Sequence, residues 1–254
     1  MLDDLTNLQA LLKDSTLLAT RGYIAGEWCD GENGKTFPVF NPARGDVITD
    51  VADISRTQTA EAISIAEKAQ KLWAARPAKE RSNLLRNWYN LMMENQEDLA
   101  TILTAEQGKP IEEAKGEIAY GASFIEFFAE EAKRVYGETI PGHQSDKRIT
   151  VLKQPVGVAA SITPWNFPNA MITRKAGPAL AAGCAFIARP AAETPLSALA
   201  MGILADRAGL PKGILSIIPS SRSSEIGKEF CENPIIRKLT FTGSTEVGRI
   251  LLKH

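Results

Sequence analysis

Through the middle of the N-terminal half, apolar residues recur every three or four positions, the period of helices with one buried face. Residues 57–75 place Ala62, Ile65, Ala66, Ala69 and Trp73 on one side, and 79–94 do the same with Leu84, Leu85, Trp88, Leu91 and Met92. A helix over 96–107 is stopped by Gly108 with Pro110 behind it. The next, 111–136, keeps Ile118, Ala122, Ile125, Ala129 and Ala132 in register and ends at Gly137. Ahead of these helices, 22–50 is rich in turn residues with short alternating pieces such as 23–28. That pattern predicts small antiparallel strands with a turn at 31–34.

The rhythm then changes twice. Residues 140–153 read as an extended hairpin with a polar tip, able to pair with another element or another subunit. Beyond it, short apolar runs at 156–162, 184–188, 214–218 and around Leu239 and Phe241 alternate with helical stretches at 169–182, 195–208, 223–231 and 244–252. Strands this short and apolar imply a parallel sheet covered on both faces. With right-handed crossovers this is an α/β, Rossmann-like fold, which binds ligands at the carboxyl ends of its strands. Three segments follow: 1–139 with the N-terminal strands and helices, 140–154 with the hairpin, and 155–254 with the sheet.

Composition narrows the partners. An apolar share of 44% and a charged share of 23% are ordinary for a soluble globular chain, and a core of this size needs no staples. The 29 basic and 30 acidic residues nearly cancel, and no basic tract interleaves with aromatics, so nucleic acid and anionic membrane are not the expected partners. Cys29, Cys184 and Cys231 lie far apart and the chain has only two histidines, which argues against a disulfide framework and a zinc site. The opening MLDDLTNLQALLKDS looks like neither a secretory signal nor a transit peptide, and no apolar run is long enough to span a membrane. A reducing, cytoplasmic setting is the expectation.

The GxGxxG fingerprint of a dinucleotide site is missing after the first sheet strand. In its place stands Thr163-Pro164-Trp165-Asn166-Phe167-Pro168. By itself this reads as a rigid strand-to-helix corner in which Asn166 caps the next helix. Thr242-Gly243-Ser244 before the last helix suits an anion at a helix N-terminus, and suits a plain N-cap equally well. Arg174, by itself, reads as a surface arginine on an amphipathic helix.

TPWNFP, KAGPALAAG (175–183) and FTGSTEVG (241–248), with EQGKP (106–110) and YGETIPG (136–142) upstream, resemble the aldehyde dehydrogenase superfamily. The similar text runs from Tyr23 to the last residue. MITRK (171–175), RNWYNLMME (86–94), KGEIAYGASFIEFFAEE (115–131) and IPGHQSDKR (140–148) resemble its succinate-semialdehyde branch.

The resemblance implies that a cysteine thiolate attacks the aldehyde, that the thiohemiacetal passes hydride to nicotinamide, and that water cleaves the thioester. Asn166 would donate to the oxyanion, a contact whose loss typically costs roughly 3–4 kcal/mol of barrier, and Lys175 would assist nearby. Thr163, Pro164 and Trp165 would line the cofactor cleft, Gly227 would pack beside it, and Thr242, Gly243 and Ser244 would seat the pyrophosphate. Arg189 stands where the family usually has lysine. Ala192 stands where NAD-specific members place glutamate, so NADP is the expected cofactor, with NAD possible. Arg174 would bind the distal carboxylate of a small aldehyde, and homo-oligomers are expected of complete members.

The chain also departs from the family. The segments bearing the general-base glutamate and the catalytic cysteine, and with them the catalytic domain, are missing. Pro219 to Arg222 stands where many relatives have a glycine-containing turn. Cys29 lies in an N-terminal turn, Cys184 enters a strand expected to be buried, and Cys231 sits beside Glu232 with no evident activating base, so none is expected to be the nucleophile. A non-catalytic NAD(P)-binding or subunit-interaction module is therefore the alternative reading.

Overall fold

The structure, a computed structural model, describes residues 8–253; the first seven residues of the opening segment lie outside them. A short helix, α1 (Leu8–Leu11), precedes a hairpin of β1 (Gly22–Ile24) and β2 (Glu27–Cys29). The reversal falls at Ala25 and Gly26, with φ of 57° and 81°, the paired left-handed residues that a two-residue hairpin loop demands. The turn expected at 31–34 is a short 3-10 segment, Glu32–Gly34, leading into a second hairpin of β3 (Thr36–Phe40) and β4 (Val47–Ala52).

Four helices follow close to their predicted bounds: α2 (Arg56–Ala74), α3 (Ala78–Glu94), α4 (Gln96–Gln107) and α5 (Ile111–Glu131). α2 opens with a capping box between Ser55 and Gln58. α4 ends on Gly108 in the left-handed region. α5 stops at Glu131 and not at Tyr136, and a 3-10 turn over Ala132–Arg134 replaces its last residues. The apolar stripe has run out there, because Val135 and Tyr136 are exposed. The hairpin is β5 (Glu138–Pro141) against β6 (Arg148–Val151), a separate two-stranded sheet with every residue exposed.

The remaining chain alternates as expected: β7 (Val158–Ile162), α6 (Ala170–Ala182), β8 (Ala185–Arg189), α7 (Leu196–Arg207), β9 (Leu215–Ile217), α8 (Ser223–Glu232), β10 (Ile236–Phe241) and α9 (Thr245–Leu251). The sheet order is β10-β7-β8-β9-β1-β2. The first four strands are parallel, and β1 adds antiparallel to β9 with Tyr23 opposite Ile217. The sheet is therefore mixed and is not confined to 155–254. Long-range contacts recruit β1: Tyr23 is buried, its hydroxyl donates to Asp206 at 3.1 Å, and Gly202 of α7 lets helix and strand approach closely.

Every residue of β7, β8 and β9 is buried. Alternate side chains point to opposite faces, so both faces are covered. α2 and α6 pack on β7 and β8, α7 packs on β9 and β1, and α8 packs on α2 and β10. Two buried indoles fix this shell: Trp73 donates to the carbonyl of Leu180 at 2.9 Å, and Trp88 to that of Met201 at 3.1 Å. Among the described residues nothing pairs with the outer side of β10, and no helix is long and apolar enough to cross a membrane.

Candidate functional site

Parallel pairing brings the carboxyl ends of β10, β7 and β8 to one edge of the sheet. There the Thr163 amide donates to the Arg189 carbonyl at 3.3 Å, and the Thr242 amide to that of Ile162 at 3.1 Å. Beside these ends lies a cleft of about 810 Å³. Thr163 and Pro164 line it after β7, Arg189 at the end of β8, and Thr242, Gly243 and Ser244 after β10. Gly227 lines it from α8. Arg56 and Lys228 also border the cleft and are held by acids: Arg56 pairs with Glu229 at 2.7 Å and with Glu232 at 3.0 Å, and Lys228 with Glu232 at 3.6 Å.

The two glycines differ. A Cβ on Gly243 would stand 2.5 Å from the Phe241 ring, so a side chain there would have to displace that ring. A Cβ on Gly227 would meet Leu251 and Ile162 at 3.4 and 3.7 Å, ordinary contact distances. The protein's packing therefore does not explain the missing side chain at 227, and the space it leaves belongs to the cleft.

Arg189 is buried, with one guanidinium nitrogen donating to the Ser220 carbonyl at 2.9 Å and its Nε left without a partner. Asp53 anchors the turn that holds Ser220 by accepting from the Ser220 hydroxyl at 3.0 Å and the Ser221 hydroxyl at 2.8 Å. Thr163 carries a second buried, unpartnered donor, its hydroxyl. Lys175, on α6, reaches the same edge by donating to the Thr242 hydroxyl. Burial, reinforced by the charge of Arg174, lowers its pKa to about 8. Ser244 caps α9 by accepting from the Val247 amide at 3.3 Å.

The remaining expected residues lie off the cleft wall. Trp165 and Asn166 are exposed on the loop between β7 and α6. Asn166 does not cap that helix: Asn169 holds the cap position, and its side chain makes no capping bond. The capping oxygen comes instead from Glu117 of α5, which accepts from the Asn169 and Ala170 amides at 2.9 and 3.2 Å. Ala192 packs partly buried against the core, and its neighbour Ala191 lines the cleft. Arg174 is exposed on α6, 5.3 Å from the Phe124 ring, and has no carboxylate partner among the described residues. α5 and α6 pack closely where Glu117 reaches Asn169, since a Cβ on Gly121 would overlap the Asn169 side chain.

No cysteine is poised as a nucleophile. Burial, then Glu27, raises the Cys29 thiol; burial, then Glu232, raises Cys231; Cys184 is buried.

The model of the aldehyde dehydrogenase family matches residues 28–254. This chain belongs to that family. Among its relatives, the glutarate-semialdehyde dehydrogenase of Pseudomonas aeruginosa is 60% identical, over 95% of this chain and 50% of the relative. The succinate-semialdehyde dehydrogenase (NADP+) of Escherichia coli strain K12 is 57% identical, over 96% of this chain and 50% of the relative. A crystal structure of an E. coli NADP-dependent enzyme superposes with a TM-score of 0.94 at 57% identity, covering 95% of this chain and 50% of that one. The chain thus spans about half the length of the curated relatives it matches.

Two members of the site neighbourhood carried no assigned role in the sequence: Lys109 and Glu117. Both fall inside the family-like stretches EQGKP and KGEIAY, but only the folded chain shows that they meet each other and the loop of Asn166.

Proposed function

We propose that this chain forms the NAD(P)-binding part of a dehydrogenase that oxidises a short aldehyde ending in a carboxylate. Succinate semialdehyde and glutarate semialdehyde are the two substrates favoured. The observation that carries the reading is the cleft itself, where Thr163, Arg189, Gly227 and Thr242 meet at the carboxyl ends of three parallel strands. The fit to a dinucleotide rests on two features: the space left by Gly227, and the buried donors on Arg189 and Thr163 that the protein leaves unpartnered. Thr242, Gly243 and Ser244 would hold the pyrophosphate, and Arg189 the adenosine ribose. When bound, the nicotinamide supplies the hydride acceptor.

NADP is the preferred cofactor in this reading, with NAD accepted. Ala191 and Ala192 present no carboxylate to repel a 2′-phosphate, and Arg189 supplies a cation. Asn166 would donate to the developing oxyanion, Lys175 would assist from the Thr242 side, and Arg174 would clamp the distal carboxylate. The raised thiols favour a second possibility for the chain by itself, a cofactor-binding or subunit-interaction module without its own nucleophile. The exposed β5–β6 hairpin, with Ile140 and Ile149 in the open, is the proposed contact with other subunits.

Calorimetric titration of the chain with NADP, and then NAD, tests the cleft. Gly227→Ala is the informative variant. It is expected to keep or raise stability, by about 0.4–1 kcal/mol, because the new methyl meets the protein at ordinary distances. It should weaken NADP binding by roughly tenfold or more, since overpacking typically costs 1–3 kcal/mol. Undiminished binding would remove the cofactor from this cleft.

Arg174→Ala tests the substrate. In a preparation that turns over succinate semialdehyde, it is expected to raise KM for carboxylate-bearing aldehydes roughly tenfold or more, while uncharged aldehydes are used as before. Equal losses on both would remove the clamp.

A further inference from the structure

The loop between β7 and α6 carries Asn166, yet both Asn166 and Trp165 are exposed and neither side chain is fixed by a hydrogen bond among the described residues. Oxyanion stabilisation depends on donors aimed in advance, so something else must hold this loop. The structure supplies one anchor. Lys109, just past the left-handed end of α4, donates to the backbone carbonyl of Asn166 at 3.1 Å, and its ammonium lies 3.9 Å from the centre of the Phe167 ring. The same ammonium pairs with Glu117 at 2.5 Å, where the two side chains retain only 10% and 1% of their exposure. The other oxygen of Glu117 accepts from the amides of Asn169 and Ala170 at the start of α6.

We infer that Lys109 and Glu117 form a positioning clamp for the Asn166 loop. One buried carboxylate orients the lysine and caps the helix that carries Arg174 and Lys175; the lysine then grips the loop through a carbonyl and an aromatic face. Charge-assisted hydrogen bonds are roughly twice as strong as neutral ones, and burial strengthens the Lys109–Glu117 side of the clamp, while Asn166 and Phe167 on the loop side are exposed. Both residues act through the loop and touch no reacting atom, so they are positioning residues. The inference rests on the proposed role of Asn166 for its functional meaning, while the clamp itself is independent of cofactor binding.

Trp165 is a built-in reporter, more than half exposed beside Asn166, whereas Trp73 and Trp88 are buried in the core. The chain labelled with 5-fluorotryptophan is compared with Lys109→Met, Lys109→Arg and Glu117→Gln by fluorine NMR, with the Trp165 resonance assigned through Trp165→Phe. Lys109→Met is expected to shift or broaden the Trp165 resonance and leave those of Trp73 and Trp88 in place. Glu117→Gln, which keeps an acceptor for the α6 amides, should move Trp165 in the same direction. Lys109→Arg should return it toward the wild-type position.

An unmoved Trp165 resonance in Lys109→Met overturns the clamp, and so does a displacement of all the tryptophans together, which would assign Lys109 to the fold as a whole. NADP titration of the same samples separates the two readings. A Trp165 shift without NADP binding would sink the cofactor assignment and leave the clamp standing, while NADP binding with an unmoved Trp165 would do the reverse.

Discussion

Glu117→Ala is expected to lower the unfolding free energy by roughly 3–5 kcal/mol, the usual consequence of breaking a buried ion pair from one side. Three groups are affected at once: the amides of Asn169 and Ala170 lose their side-chain acceptor, and the Lys109 ammonium loses its carboxylate and keeps, among the described residues, only the Asn166 carbonyl. Lys109 would then be a nearly buried cation facing Phe167 without a counter-charge. The neighbourhood has little room to relax, because α5 and α6 pack tightly around Gly121 and the Asn169 side chain already lacks partners. Urea unfolding at neutral pH checks this. A loss below about 1 kcal/mol, the worth of an exposed pair, would mean that water reaches Glu117 in the folded chain.

The second large effect is in the pH dependence of stability. Glu106 is fully buried, and its carboxylate accepts from the amides of Leu196 and Ser197 at 2.7 and 2.8 Å, capping α7 as Glu117 caps α6. Burial pushes its carboxyl from 4.5 up to about 7, outweighing the pull of those amides. A carboxyl with a raised folded-state pKa holds its proton more tightly in the folded chain. Its contribution is therefore complete below pH 4.5 and is lost as pH rises from 4.5 to about 7. Over that window the folded chain should lose on the order of 3 kcal/mol through this group, at about 1.4 kcal/mol for each tenfold change in proton affinity. Glu106→Gln, which keeps an acceptor and cannot ionise, is expected to flatten that slope relative to the wild type. Parallel slopes for the two proteins would show that the helix amides hold Glu106 ionised throughout.

These two carboxylates show where sequence reasoning stopped short. The helices that carry them were legible from apolar spacing, and Gly108 announced the end of α4. Their purpose was not, because a glutamate among polar residues on a helix looks like a solvated side chain unless the facing helix is known. The turns around the cleft were legible to a different depth. Thr163, Pro164, Arg189, Gly227 and Thr242 stood out by motif and converge on one cleft. Asn166 and Ala192 stood out equally and lie off it, since a position one or two residues along a turn decides which way a side chain points. The cap assigned to Asn166 fell on Asn169, without a side-chain bond, because Glu117 from another helix already satisfies those amides.

What the sequence by itself determined is the alternation of short apolar runs with helical stretches after residue 155, the four helices before it, and the family-like turns. These are properties of neighbours a few residues apart, where period and turn chemistry act directly. Only the tertiary structure decided that β1 and β2 extend the parallel sheet, because β1 pairs with β9 across almost two hundred residues of chain where α7 packs against Tyr23, and β2 follows by pairing with β1. It also decided that Lys109, Glu117 and the Asn166 loop meet. Their contacts span up to 57 residues of chain, and burial supplies the low-dielectric setting that strengthens the Lys109–Glu117 pair from which the loop is held.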